Sequence, residues 1–304
     1  MGVPGAEPDS GFRSGFVAVV GRPNVGKSTL VNRLIDTKVT ITSPRPNTTR
    51  RPVRGILHRP GLQAVFVDTP GLHKPHSALG ARLNAHVADA LDDVDVVVPV
   101  LDATASVGPG DRLVLGRAAE LGATEGAPAL VLVVNKADAA TRAAVLAHLD
   151  AARRVLEEHG RAADAEYFPV SAVTGEGVDA LRDTVLSLLP AGPPYFPESM
   201  VSDVEEAFWV AELVREQLLA RVREELPHSI ACRVTEWEWP RVRVEIVVER
   251  ESQKPMVIGA GGSVLKQVGT AVRAQLPAGA FLELHVRVEP RWQQRPDAVE
   301  RLGY

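Results

Sequence analysis

The order of apolar segments predicts an α/β fold: a doubly wound, mainly parallel sheet with one antiparallel edge strand, followed by a smaller α+β domain. Three observations carry this. From Phe16 to about Leu189, short runs rich in Val, Leu and Phe alternate with longer helical patterns. Pro190, Pro193, Pro194 and Pro197 then fall within eight residues of LLPAGPPYFPES, a density that neither a helix nor a central strand survives. Beyond that stretch the element order becomes α-β-β-α-α-β.

Taken in order, the runs FVAVV, LQAVFVD, VDVVVPVLD, PALVLVVN and EYFPVSA are too continuously apolar for strands with one wet face. They are expected to be parallel strands covered by helices on both sides. VRGILHRPGLQAVFVD is the exception, a hairpin turning at Arg59, Pro60 and Gly61 that supplies the antiparallel edge. The expected boundaries are a disordered lead-in over residues 1–14, a first domain over 15–190, a linker over 191–202 and a second domain over 203–304. Within the last, a helix is expected from about Asp203 to Glu225, then strands in HSIACRVTEW and RVRVEIVVER. A glycine cluster with its following helix and a strand in AFLELHVRVE complete it.

Composition narrows the class. The 304 residues are 45% hydrophobic and 24% charged, the balance of a globular protein long enough for two cores. No apolar run reaches the roughly 18 residues that a bilayer span needs, and MGVPGAEPDSGFRSG lacks the apolar centre of a signal peptide. A cytoplasmic protein is expected. The net charge of −4 excludes a protein that grips nucleic acid by bulk electrostatics. The lone Cys232 lies in a strand-like pattern and is read as a small buried residue.

Chemistry is concentrated at strand ends. FVAVVGRPNVGKST reads as strand, GxxxxGKS loop and helix, the context in which backbone N–H groups and a helix N-terminus cradle phosphate. Gly21, Arg22, Pro23, Asn24, Val25, Gly26, Lys27, Ser28 and Thr29 are expected around the phosphates. Lys27 is expected on the β- and γ-phosphates and the Ser28 hydroxyl on Mg²⁺. VFVDTPGL ends a strand with Asp68, placed to hold Mg²⁺ through water, followed by Thr69, Pro70, Gly71 and Leu72. The Gly71 N–H is expected to meet the γ-phosphate.

LVVNKAD ends another strand: Asp138 can accept both guanine N1–H and N2–H, which adenine cannot offer, while Asn135 and the Lys136 stem frame the ring. In PVSAVTGEG, Ser171 and Ala172 close over the base. TSPRPNTTRRPV is long, polar and proline-interrupted, as a nucleotide-ordered switch would be. Thr49 is its expected hydroxyl on Mg²⁺ and Thr48 the alternative. Arg50 and Arg51 are read as solvated charges, with phosphate contact as the alternative.

Leu72 stands where many GTPases place the Gln that orients water. An apolar side chain cannot do that, so hydrolysis must be slow or use another device. Asn24, sharing a K⁺ ion with a phosphate oxygen, is the preferred candidate. His73 is read as a solvated switch residue.

The second cluster, VIGAGGSVLKQVG, fits a GxxG loop from Gly259 through Ala260 and Gly261 to Gly262 between two short helices. Such a loop lets a nucleic-acid backbone approach N–H groups while bases splay over a groove. Lys254, Lys266 and Arg273 are the nearby cations expected on RNA. From Glu205 onward, 14 Lys and Arg face 15 Asp and Glu, so any contact is local. Val264, Val268, Val272 and Leu276 recur every four residues and are expected to pack inward. Trp237 and Trp239 are expected to cap a small hairpin core, with base stacking as the alternative.

Together these motifs resemble the Era family of bacterial GTPases, a P-loop GTPase domain joined to a C-terminal type II KH domain. GRPNVGKSTLVNRL, ITSPRPNTTR, VDTPGLHKP, NKAD, PVSAVTGEGVDAL, ELPHSIA, VVERESQKPMVIGAGG and RLGY carry the likeness from about Phe16 to Tyr304. The resemblance implies GTP hydrolysis with Mg²⁺ and a role in maturing the 30S ribosomal subunit. It also implies single-stranded RNA near the 3′ end of 16S rRNA as the partner of the KH domain, and peripheral association with the inner membrane. A monomer is expected. Two departures stand out: Gly261 replaces a residue that is often Lys in the family, and TEWEWPRVR between the strands is short. The alternatives are a GTPase of tRNA modification or large-subunit assembly, and a GTPase whose KH-like domain binds protein.

Overall fold

The computed structural model describes residues 11–72, 75, 77–121, 127–222 and 226–304. These form two compact units: the described residues within Met1–Thr40, Arg51–His73 and Asn84–Asp203 make the first, and those within Ile41–Arg50, Lys74–Leu83 and Val204–Tyr304 the second.

In the first unit a six-stranded sheet comprises β1 (Arg13–Gly21), β2 (Val53–Arg59), β3 (Leu62–Asp68), β4 (Val96–Asp102), β5 (Ala129–Asn135) and β6 (Ala165–Pro169). Its spatial order is β2-β3-β1-β4-β5-β6, with β2 antiparallel to β3 and every other pairing parallel. Successive β1 residues serve opposite faces. Val17 and Val19 join one core with Leu34, Val133 and Leu181, while Ala18 and Val20 join another with Leu115, Leu132 and Leu156. The helices packed on these faces are α1 (Lys27–Ile35), α3 (Pro109–Glu120), α4 (Arg142–Glu158) and α5 (Val178–Leu188), together with Val87 of α2 (Ala78–Asp89). Coverage on both faces explains the unbroken apolar runs.

The lead-in expectation falls outside the described residues for 1–10, but β1 begins at Arg13, inside the boundary read at 14. Arg13 N–H donates to Gly61 O, and its Nε to Leu189 O at 2.7 Å, so the chain is tied down there. The proline-rich stretch is strapped to the first unit. Buried Gln63 accepts from Tyr195 and Phe196 N–H at 2.7 and 3.0 Å and donates to Phe196 O at 2.8 Å. Phe16 and Tyr195 rings meet at 4.8 Å. Ser202 bridges to Gly55 and Asp203 pairs with Arg54, which is why the next helix starts at Glu206 rather than Asp203.

The second unit holds β7 (Ala231–Glu238), β8 (Arg241–Val248) and β9 (Phe281–Val288), with β8 central, antiparallel to β7 and parallel to β9. Helices α6 (Glu206–Leu219) and α9 (Ser263–Arg273) cover one face through Leu213, Val214, Leu218, Val268 and Val272 against Val244, Ile246 and Val248. The other face is an ion-pair ladder, including Arg233 to Glu245 and Arg243 to Glu283. Short helices α7 (Leu226–Ser229), α8 (Gln253–Ile258) and α10 (Pro296–Arg301) complete the α-β-β-α-α-β order with additions. The strand expected from His228 starts only at Ala231 because α7 takes the residues before it. Trp237 and Trp239 are 36% and 47% exposed, so they do not cap a core; α6 and α9 bury the strands' other apolar residues instead. Cys232 is buried as expected, its thiol pushed up to about 12 by burial.

The segment Ile41–Arg50 folds within this second unit. Ile41 enters its core beside Val210 and Leu213, and Thr42 N–H donates to Glu216 at 2.9 Å. Arg50 is a correction to the sequence reading: it is buried rather than solvated. Its Nη1 donates to Ile230 O at 2.7 Å, and its guanidinium lies 5.4 and 5.1 Å from the ring centres of Trp292 and Tyr304. Arg215, also buried, donates through Nε to Glu212 at 2.8 Å and through Nη2 to Glu212 and to Thr48 O.

Candidate functional site

Parallel pairing brings the chemistry to one sheet edge. Gly21 lies opposite Val100, Val19 opposite Asp68 and Asp102 opposite Asn135, so the loops leaving β1, β3, β4 and β5 share the carboxyl end. Gly26 shows why the first loop needs glycine: its φ is +96°, and a Cβ there would lie 2.3 Å from Asn135 Nδ2. Asn24 is also left-handed, at φ 67°, and exposed.

Lys27 is 6% exposed and its Nζ donates to Gly21 O at 3.2 Å and Arg22 O at 3.0 Å. Burial lowers its pKa to about 8, against the opposing pull of Asp68. Those carbonyls hold the ammonium where a phosphate would later compete for it. Asp68 is fully buried at the end of β3 and accepts from Thr40 Oγ1 at 2.8 Å. Gly71 lies against Pro23, and Leu72 N–H donates to Gly21 O at 3.1 Å while its side chain packs on the apolar core under α3. Thr69 Oγ1 donates to Val19 O at 2.8 Å, fixing the start of that turn.

Asn135 ties the loop after β1 to the loop after β6. Its Nδ2 donates to Val25 O at 2.8 Å, and its Oδ1 accepts from Ala172 N–H at 3.0 Å. Lys136 sits at φ 64° with its Nζ 2.5 Å from Asp102. Asp138 follows in a single 3₁₀ turn and is exposed. Ser171 is buried and its Oγ accepts from Thr174 N–H at 3.1 Å, shaping the loop that carries Ala172.

The expected nucleotide residues that belong to the first unit lie along this one edge. Thr48 and Thr49 are buried and belong to the second unit. His73 lies outside the described residues. Thr40, Asp102 and Asp111 join the site without any motif to flag them, although Asp102 does end an apolar strand.

The donor set fits Mg²⁺: the Ser28 hydroxyl and the Asp68 carboxylate are hard oxygen donors beside a buried ammonium, with no soft ligand among them.

In the second unit the GxxG loop is a left-handed corner. Gly259, Gly261 and Gly262 have φ of 76°, 57° and 79°, and Ala260 and Gly261 are exposed. Lys254 on α8 is half-buried, whereas Lys266 and Arg273 project exposed from α9. Val268 and Val272 are buried, and Val264 and Leu276 pack against the same core.

The family described as "50S ribosome-binding GTPase" matches residues 16–136, and the KH domain family matches 225–293. GTPase Era of Mycobacterium avium is 45% identical over 305 residues, covering 96% of this chain and 99% of its own. GTPase Era of Mycobacterium tuberculosis is 44% identical, with the same coverage. Two solved structures superpose at a TM-score of 0.86 and 36% identity, covering 96% of this chain and 99% of theirs. One is Era with MgGDPNP and nucleotides 1506–1542 of 16S ribosomal RNA; the other is a point variant of Aquifex aeolicus Era bound to GDP·AlF₄⁻.

Proposed function

The chain belongs to the Era family of GTPases, and on that premise we propose that it is a GTP-driven switch that binds the 3′ region of 16S rRNA during 30S subunit biogenesis. The observation that carries this is the pairing of a phosphate loop and guanine-type motifs at one sheet edge with a GxxG loop on a KH fold in one chain. A relative whose structure holds both a GTP analogue and the 3′ end of 16S rRNA, alike over nearly the whole chain, supports it.

In this reading Lys27 exchanges its two carbonyl partners for the β- and γ-phosphates, and the N–H groups from Asn24 to Ser28 line the same anion. Ser28, Asp68 and, in the ordered switch, Thr49 would hold Mg²⁺, which would supply positive charge to offset that of the phosphates. The Gly71 N–H then meets the γ-phosphate. Asp138 selects guanine while Asn135 and Ala172 fix the base loop.

With Leu72 unable to orient water, we assign the stabilising charge to K⁺ held in part by Asn24. Equal turnover in K⁺ and Na⁺ buffers would contradict that assignment. The RNA partner is single-stranded and meets Gly259 to Gly262, with Lys254, Lys266 and Arg273 flanking it. We further read the chain as a cytoplasmic monomer. No helix among the described residues is long and apolar enough to cross a membrane, and membrane contact would be peripheral. Crosslinking followed by sequencing of bound RNA tests the whole: enrichment at the 16S 3′ end supports it. An RNA-free, GTP-loaded protein would favour a KH-like domain that binds protein.

A further inference from the structure

We propose that the segment from Asp102 to Asp111, which joins β4 to α3, positions the nucleotide-binding motifs through two carboxylates, Asp102 on Lys136 and Asp111 on Arg22. The inference rests on the GTPase reading and adds to it two positioning residues that lie in none of the nucleotide motifs.

The segment is fastened at both ends. At its start, Ala103 N–H donates to Asn135 O at 2.9 Å, coupling it to the strand end that carries the base-binding motif. Asp102 uses both oxygens: Oδ1 accepts from Thr104 N–H at 2.9 Å and from its hydroxyl at 2.6 Å, while Oδ2 takes Lys136 Nζ at 2.5 Å. Lys136 needs such a partner. Its backbone is left-handed at φ 64°, a conformation lysine does not choose, and its stem is what frames the guanine ring.

At the other end, Asp111 is 2% exposed and its oxygens are again divided. Oδ2 accepts from Gly108 N–H at 2.8 Å, capping its own helix, and Oδ1 lies 2.8 Å from Arg22 Nε. The hydrogen bond fixes the carboxylate relative to α3; the ion pair holds the arginine beside the carboxylate. Arg22 is the second residue of the phosphate loop, and its own carbonyl receives Lys27 Nζ at 3.0 Å. The loop's arginine is thus a strut, not a free phosphate ligand. Gly110 completes the fit, because a Cβ there would lie 2.6 Å from Arg22 Cδ.

An ordinary exposed ion pair would not behave this way, since it contributes little and holds nothing. Here one partner of the phosphate-loop pair is buried, and both pairs end on residues whose backbones shape the site.

The test uses the full chain, measuring fluorescent GDP dissociation, steady-state GTPase kinetics and thermal midpoint. Asp111→Asn keeps an oxygen for Gly108 but loses the charge on Arg22; Asp102→Asn does the same to Lys136. Each should raise KM and the GDP off-rate on the order of tenfold, the scale of a lost partly buried ion pair, with kcat within about twofold. Combining Arg22→Asp with Asp111→Arg should recover part of the loss that Arg22→Asp alone causes. Asp150→Asn, at an exposed pair on α4, should change nothing. Nucleotide kinetics like wild type in both aspartate variants would overturn the inference, as would a lowered midpoint with an unchanged off-rate. A wild-type chain that bound no guanine nucleotide would instead remove the GTPase reading on which the inference rests.

Discussion

Replacing Glu212 by Gln should destabilise the second unit by about 3–5 kcal/mol, the cost of breaking a buried ion pair. Two guanidinium groups, Arg50 and Arg215, are 2% and 0% exposed, and Glu212 gives both carboxylate oxygens to Arg215. Burial works against the Arg215 charge, but Glu212, by charge and hydrogen bonds, holds its pKa above the ordinary arginine value. Burial pulls Arg50 the other way, below it. Glutamine keeps one acceptor and turns an N–H₂ toward a cation, so Arg215 is left charged, dry and poorly matched.

At about 4 °C per kcal/mol for a unit of this size, the thermal midpoint should fall by about 12–20 °C. All four tryptophans, Trp209, Trp237, Trp239 and Trp292, lie in the second unit, so their fluorescence follows that unit alone. The double change Glu212→Leu with Arg215→Met should lose less than the single one, because both desolvation costs vanish together. A shift below about 3 °C for Glu212→Gln, or a double variant worse than the single, would refute the reasoning.

Lys27 predicts a pH dependence with a definite sign. Its folded pKa of about 8 lies below the unfolded 10.5, so between those values the unfolded chain binds more protons and stability of the nucleotide-free protein rises with pH. The shift is worth about 3 kcal/mol at most, and urea titrations at pH 7.5 and 9.5 should show the increase. Bound phosphate should restore the proton, so nucleotide binding near pH 9 should take up about one proton, seen as a buffer-dependent calorimetric enthalpy. Gln63→Leu should cost roughly 3 kcal/mol in chemical denaturation, since it strips partners from three backbone groups of the proline-rich strap, and should expose 191–202 to protease. Gly261→Lys should tighten RNA binding and steepen its salt dependence: no atom lies within 4 Å of the added Cβ, although φ of +57° costs the loop about 1 kcal/mol. An unchanged salt slope would mean that the loop does not face phosphate.

Local chemistry with a fixed spacing was legible in the sequence. Gly26, Lys27, Asp68, Asn135 and Ala172 converge because strand order and parallel register place their loops at one edge, and apolar runs announce parallel strands. What could not be read were partners set by tertiary contact. Arg50 looks like a surface charge in NTTRRPV, and only the fold brings Trp292 and the terminal Tyr304 beneath it. Asp111 looks like an ordinary first-turn acid, and Gln63 like one polar position in a strand. Prolines mark the end of regular structure in 190–197, but they do not show that the stretch is pinned by Gln63. Trp237 and Trp239 show the reverse error: apolar character points to burial, and both stand exposed.

If nucleotide state governs RNA binding, the GTP-loaded and GDP-loaded forms differ in their affinity for RNA. The full chain, loaded with Mg²⁺ and either a non-hydrolysable GTP analogue or GDP, is titrated with single-stranded RNA matching the 3′ end of 16S rRNA. Binding should be at least about tenfold tighter with the analogue, a difference of about 1.4 kcal/mol between the two states. Equal affinity in both states, or no preference for this RNA over a scrambled sequence, would contradict it.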